Sequence, residues 1–170
     1  MSAETISESD LNGIYSELRK LASFHLRRSG PRPSLQPTLL VNETWLRLAR
    51  QPWKSKSYFL ALASNAMRQV LVDYVRGRLA QKRGKDWKRV NIECGTVAGP
   101  AGCNLVQVLA VNEALEKLAV VDPRKARVVE MRFFGGMEFE EIAEALEVSL
   151  ITVKRDWKFS RAWLYAALAS

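Results

Sequence analysis

Histidine occurs once in this chain of 170 residues and cysteine twice. One imidazole, His25, leaves no plausible histidine-based triad, and it reads as a partly exposed residue of the first helix, not a ligand or a base. Cys94 and Cys103 lie in a Gly-rich segment without the close cysteine pairs or neighbouring histidines of a zinc site, so reduced thiols are expected. A P-loop is missing too. The opening "MSAETISESD" is polar and acidic, with neither the basic nor the apolar region of a signal peptide. No run approaches the ~18 apolar residues of a spanning helix. These absences lead to the expectation of a cytoplasmic, non-enzymatic protein without cofactor or metal.

What the sequence has is unevenly placed charge. Residues 1–90 hold 17 Lys and Arg against 7 Asp and Glu, whereas residues 91–170 hold 9 against 11. The first half is therefore the stronger polyanion binder by bulk electrostatics, and the second must rely on where its charges sit.

The apolar residues recur at helical spacing, and no strand pattern or internal repeat is found, so an all-α fold is expected. Leu11, Ile14, Leu18, Leu21 and Phe24 mark a first helix, closed by "SGPRPS". A second follows Pro37 with Leu40, Val41, Trp45 and Leu48. A third, from about Ser57 to Leu79, carries Phe59, Leu62, Ala63, Ala66, Met67, Val70, Leu71 and Tyr74 for burial against the first two. It runs on into the basic "QKRGKDWKR". Residues 84–106 have loop composition and read as a flexible linker. Two small helical domains follow from it, 10–83 and 107–170. The second opens with a helix over Val108 to Val120, and Asp122-Pro123 then starts another, Asp as N-cap and Pro in the first position.

Met137 to Leu168 has the grammar of a helix-turn-helix. A short helix with Ile142, Ala143 and Leu146 on its apolar side breaks at Glu147 to Ser149, and a longer helix follows with Ser149 as N-cap. At roughly 100° per residue, Val153, Trp157, Ser160 and Leu164 form one stripe, and Lys154, Arg155, Lys158 and Arg161 cluster roughly 120° from it. The acidic residues Glu138, Glu140, Glu141, Glu144 and Glu147 fall on the preceding helix, where they suit its dipole without needing a metal. Four cations on one helical face suit phosphates and guanine edges in a major groove.

The words "EEIAEALEVSLITVKRDW" and "SRAWL", with "DPRKARVVEMRFFGG" before them, resemble region 4 of bacterial sigma-70 family factors of the extracytoplasmic function (ECF) type. "TLLVNETWLRLA" and "YFLALASNAMRQVLVDYVRGRLAQKRG" resemble region 2 of the same family. One departure is Glu147, where the family usually has a turn glycine. A left-handed residue there costs about 1 kcal/mol if it is not glycine, so a differently shaped turn is expected.

The resemblance implies a sigma factor that binds core RNA polymerase and directs it to promoter DNA, in many members under an anti-sigma protein. It places Lys154, Arg155 and Lys158 against the −35 major groove and gives Ser149, Thr152 and Arg161 to backbone contacts. It puts Glu43, Trp45, Leu46 and Leu48 on the helix that meets polymerase. The loop with Trp53, Lys54, Lys56 and Tyr58, and the helix face with Asn65, Arg68 and Arg76, lie where −10 DNA is expected. Trp53 and Tyr58 either give an unstacked base a surface to rest on or cap the core. DNA stacking amounts to about 1.4 kcal/mol per step, so a chain this small should not melt a promoter without polymerase. A stand-alone helix-turn-helix regulator would explain residues 137–168, but such proteins usually dimerise, and no dimerisation element is evident.

Overall fold

The computed structural model describes residues 8–26, 36–48, 54–81 and 105–169. Among these the chain is all-α, with the order α1 (Glu8–Leu26), α2 (Pro37–Leu48), α3 (Lys56–Gln81), α4 (Leu105–Val121), α5 (Pro123–Phe133), α6 (Phe139–Leu146) and α7 (Leu150–Ala169). Trp53, the basic run 82–89 and both cysteines lie outside the described residues, as does the expected linker up to residue 104.

Local chemistry accounts for most of the helix ends. Pro37 is the first residue of α2, where its fixed φ suits the first turn and its missing N–H costs nothing. Asp122 caps α5, its carboxylate accepting from the Lys125 N–H at 3.1 Å, with Pro123 next in the chain. Gly136, at φ +58, takes the chain out of α5 in a conformation that favours glycine. At the start of α6 the Glu141 carboxylate reaches back to the Glu138 N–H at 2.9 Å.

Glu147 ends α6 at φ 54, ψ 42, so the turn does take the left-handed form, with glutamate in the glycine place. The Val148 N–H bonds the Ala143 carbonyl at 3.0 Å and the Glu147 N–H bonds that of Glu144 at 3.1 Å, which satisfies carbonyls the helix end would otherwise orphan. Ser149 then caps α7, accepting from the Thr152 N–H at 3.2 Å.

Two groups of helices pack around α3. On one side Ile14, Leu18 and Ala22 of α1 and Leu40 and Val41 of α2 meet Phe59, Met67 and Leu71. The expectation gave α3 one apolar face, and it has two. Leu60 and Ala61 are buried against Val128, Met131, Met137 and Ile142, from α5, α6 and the turn between them. Small residues on α3 permit this approach: a Cβ added at Gly135 would stand 1.9 Å from Ser64 Oγ, so only glycine fits there. A helix apolar on most sides ends up inside, and α3 becomes the hub of both groups.

His25 also departs from the sequence reading. It is buried, not partly exposed, with Nε2 3.4 Å from the Phe134 carbonyl oxygen and its ring beside those of Phe133 and Phe134. Helical spacing puts His25 next to the apolar position Leu21, and the α5–α6 turn covers it from another part of the chain. Burial lowers its pKa to about 4, outweighing the opposing bond to the Phe134 carbonyl.

Candidate nucleic-acid interface

The last helix segregates its side chains as its spacing requires. Val153, Ser160 and Leu164 are buried against α4, α5 and α6, and Trp157 is half-buried between the two apolar clusters. Lys154, Arg155 and Lys158 are exposed on the opposite side, with Arg161 half-exposed at its margin. None of the ion pairs among the described residues involves these four cations. Ser149 is exposed and Thr152 half-exposed, and their hydroxyls lie 2.9 Å apart at the helix N-terminus. Hydroxyls and N-terminal amides at such a place suit phosphate oxygens.

A residue the sequence reading passed over sets the angle of this face. Asp156 is 1% exposed in the middle of α7. It accepts from Arg124 Nε at 2.7 Å and from a second Arg124 nitrogen at 3.4 Å, with Lys125 Nζ 3.9 Å away. Ser160 Oγ reaches the Lys125 carbonyl at 3.4 Å. These bonds fix the rotation of α7 on α5, and thereby which cations point outward. A signal was present in "VKRDWKFS": Asp156 falls on the apolar stripe three residues after Val153, and a carboxylate on a buried face requires a partner.

The first group of helices carries the other expected positions, with mixed outcomes. Lys54 and Lys56 are exposed at the start of α3. Lys54 lies 5.6 Å from the centre of the half-buried Tyr58 ring, and Lys56 pairs with Glu17 at 3.0 Å. Arg76 is exposed near the far end of the helix. Asn65 and Arg68 do not face solvent freely. Glu130 Oε1 of α5 accepts from Asn65 Nδ2 at 2.9 Å and Arg68 Nε at 2.6 Å, while Arg68 also donates to Asn112 Oδ1 of α4 at 2.8 Å.

On α2, Glu43 is exposed and Leu46 is 68% exposed, whereas Trp45 packs against Phe59 and Leu48 is buried. Leu39, not singled out by the sequence reading, is exposed one turn before Glu43. Leu39, Glu43 and Leu46 thus form an outward stripe, apolar at both ends. Arg47 ties the helix to α3 through Gln69 at 3.1 Å and Asp73 at 3.0 Å.

Among the described residues no group of His, Cys, Asp and Glu is placed to hold a metal, and no helix is long and apolar enough to cross a membrane. A family model described as "ECF sigma factor" matches residues 4–170. No curated protein and no solved structure gives a significant match.

Proposed function

The chain belongs to the ECF sigma factor family, whose members direct transcription initiation, and on that premise we propose how its surfaces divide the work. The second helical group, 107–170, reads the −35 element as duplex, and the first, 10–83, binds core polymerase and the −10 element. The observation that carries this reading is the outward cationic face of α7, free of ion pairs among the described residues and locked in angle by Arg124 and Asp156. Lys154, Arg155 and Lys158 enter the major groove, where Arg and Lys bond guanine O6 and N7. Ser149, Thr152 and Arg161 hold the flanking phosphates and set the register.

Glu43 and Leu46, with Leu39 beside them, make the polymerase contact. An acidic group among exposed apolar ones is poorly matched to phosphate and well matched to a protein surface. Trp45 and Leu48 serve that contact from inside, by holding α2 on α3. Lys54, Lys56, Tyr58 and Arg76 meet the −10 strand directly, Tyr58 as the stacking surface and the cations as its phosphate track. The protein works in the cytoplasm, with its polymerase, and catalyses nothing itself.

Run-off transcription with purified core polymerase tests the whole reading. Initiation from a defined promoter is expected only when the protein is added, and Glu43→Lys should weaken its retention on core. A stable dimer that binds a palindrome tightly without polymerase would favour the stand-alone regulator instead.

A further inference from the structure

We propose that Ile151 determines specificity for this chain's own promoter element by reading the C5-methyl of a thymine, next to the bases read by the cations of α7. The proposal rests on the −35 reading above and deepens it, from a face that binds duplex to the identity of one base in that duplex.

An exposed apolar side chain on a helix is ordinary in itself. What singles out Ile151 is its place. It is 80% exposed, the most of any large apolar residue on α7, and it joins neither apolar cluster. Phe159, the next most exposed, has the Lys125 ammonium 5.0 Å from its ring centre and so has a partner within the second helical group. At roughly 100° per residue, Ile151, Lys154, Arg155 and Lys158 span an arc of about 100°, with Ile151 near its middle. Ile151 also stands in the first turn of α7, beside Thr152, and the N-terminal residues of a recognition helix are the ones that meet base edges. The Arg124 and Asp156 bonds that hold the cations outward hold Ile151 outward with them.

The chemistry of the groove selects the base. Guanine, adenine and cytosine present only donors and acceptors to the major groove, whereas thymine adds a methyl. An aliphatic side chain set against a donor or acceptor strips it of water and returns no hydrogen bond. Set against the methyl, it removes two apolar surfaces from water at once. Ile151 therefore favours thymine and disfavours the other three. The helix also sets the register: Arg155 lies four residues on, about 6 Å along the axis, and base pairs stack roughly 3.4 Å apart. The thymine accordingly falls within about two base pairs of the base that Arg155 reads.

The test uses the full chain with core polymerase. The holoenzyme selects its −35 duplex from a random pool, and Arg155→Ala locates the base that Arg155 reads. Each thymine is then replaced in turn by deoxyuridine, which deletes the methyl and leaves the pairing intact. One replacement within about two base pairs of the Arg155 position should weaken wild-type binding about fourfold, the worth of one methyl contact. The same replacement should cost nothing in Ile151→Ser, and Ile151→Val, which keeps a branched apolar tip, should retain part of the effect, with circular dichroism confirming that both variants fold. An element without thymine at those positions, equal tolerance of every replacement, or an undiminished effect in Ile151→Ser would overturn the proposal and leave the promoter reading standing. Full affinity and unaltered base preference in both Lys154→Ala and Arg155→Ala would instead overturn the promoter reading, and this proposal with it.

Discussion

Acidification should destabilise this protein through one buried side chain, His25. His25 is buried beside the Phe134 carbonyl and its pKa is lowered from 6.5 to about 4. In the unfolded chain the imidazole takes up a proton below its ordinary value, while in the folded chain it stays neutral until about pH 4. The unfolded state therefore binds more protons across that interval, and stability present above pH 6.5 is lost as pH falls toward 4. At about 1.4 kcal/mol per pH unit, the full loss is about 3 kcal/mol, with roughly 2 kcal/mol gone by pH 5. For a chain of this length, the roughly 2 kcal/mol lost by pH 5 corresponds to a fall in Tm of roughly 4–8 °C. Asp122, held below the usual carboxylate range by its bonds from Lys125, gives up its contribution only as pH falls below 3.8 and so leaves this window clear. Urea unfolding followed by circular dichroism from pH 7.5 to 5 measures the slope, and His25→Gln should flatten it whatever it does to absolute stability. Since the chain has one histidine, its imidazole NMR signals need no assignment. A folded-state titration near pH 6.5, or an equal slope in His25→Gln, would refute the reasoning.

Arg155→Ala should relax base preference at one −35 position at a cost of about 1–3 kcal/mol, whereas Arg161→Ala should weaken all sequences alike and lower the salt slope by about one unit; a duplex panel at several salt concentrations separates the two. Asp156→Ala removes the buried acceptor of Arg124, and denaturant titration should show a loss of about 1.5–3 kcal/mol together with weaker −35 binding, because α7 loses its angular lock. Glu147→Gly relieves a left-handed glutamate, so the melting temperature should rise, the gain being up to about 1 kcal/mol once the extra freedom of the unfolded glycine is set against it. A lower melting temperature for that variant would mean that the Glu147 side chain contributes more than its backbone strain costs.

Local instructions were legible in the sequence. Apolar residues at helical spacing, Asp122-Pro123, the Ser149 cap and the cation cluster on α7 each depend on neighbours within a turn or two. Intrinsic geometry alone was enough to place six helix starts within about three residues of where they lie, and to separate the exposed cations of the last helix from its buried stripe. The seventh, α6, was recognised as a short helix before a capped break.

Only the tertiary structure decided what covers the second face of α3. From the sequence, Asn65 and Arg68 were polar residues on a half-apolar helix, and Glu130 was one charge among several on α5. Their meeting joins positions more than sixty residues apart, and no periodicity carries that information. The burial of His25 is hidden from the sequence for the same reason: a helix position reads as exposed or buried from its own neighbours, whereas Phe133 and Phe134, which cover it, arrive from the C-terminal end of α5. Asp156 marks the boundary between the two kinds of knowledge. Its place on a buried stripe announces that some cation must meet it, and only the packing of α7 on α5 shows that the cation is Arg124, because burial is a property of a stripe and partnership is a property of the fold.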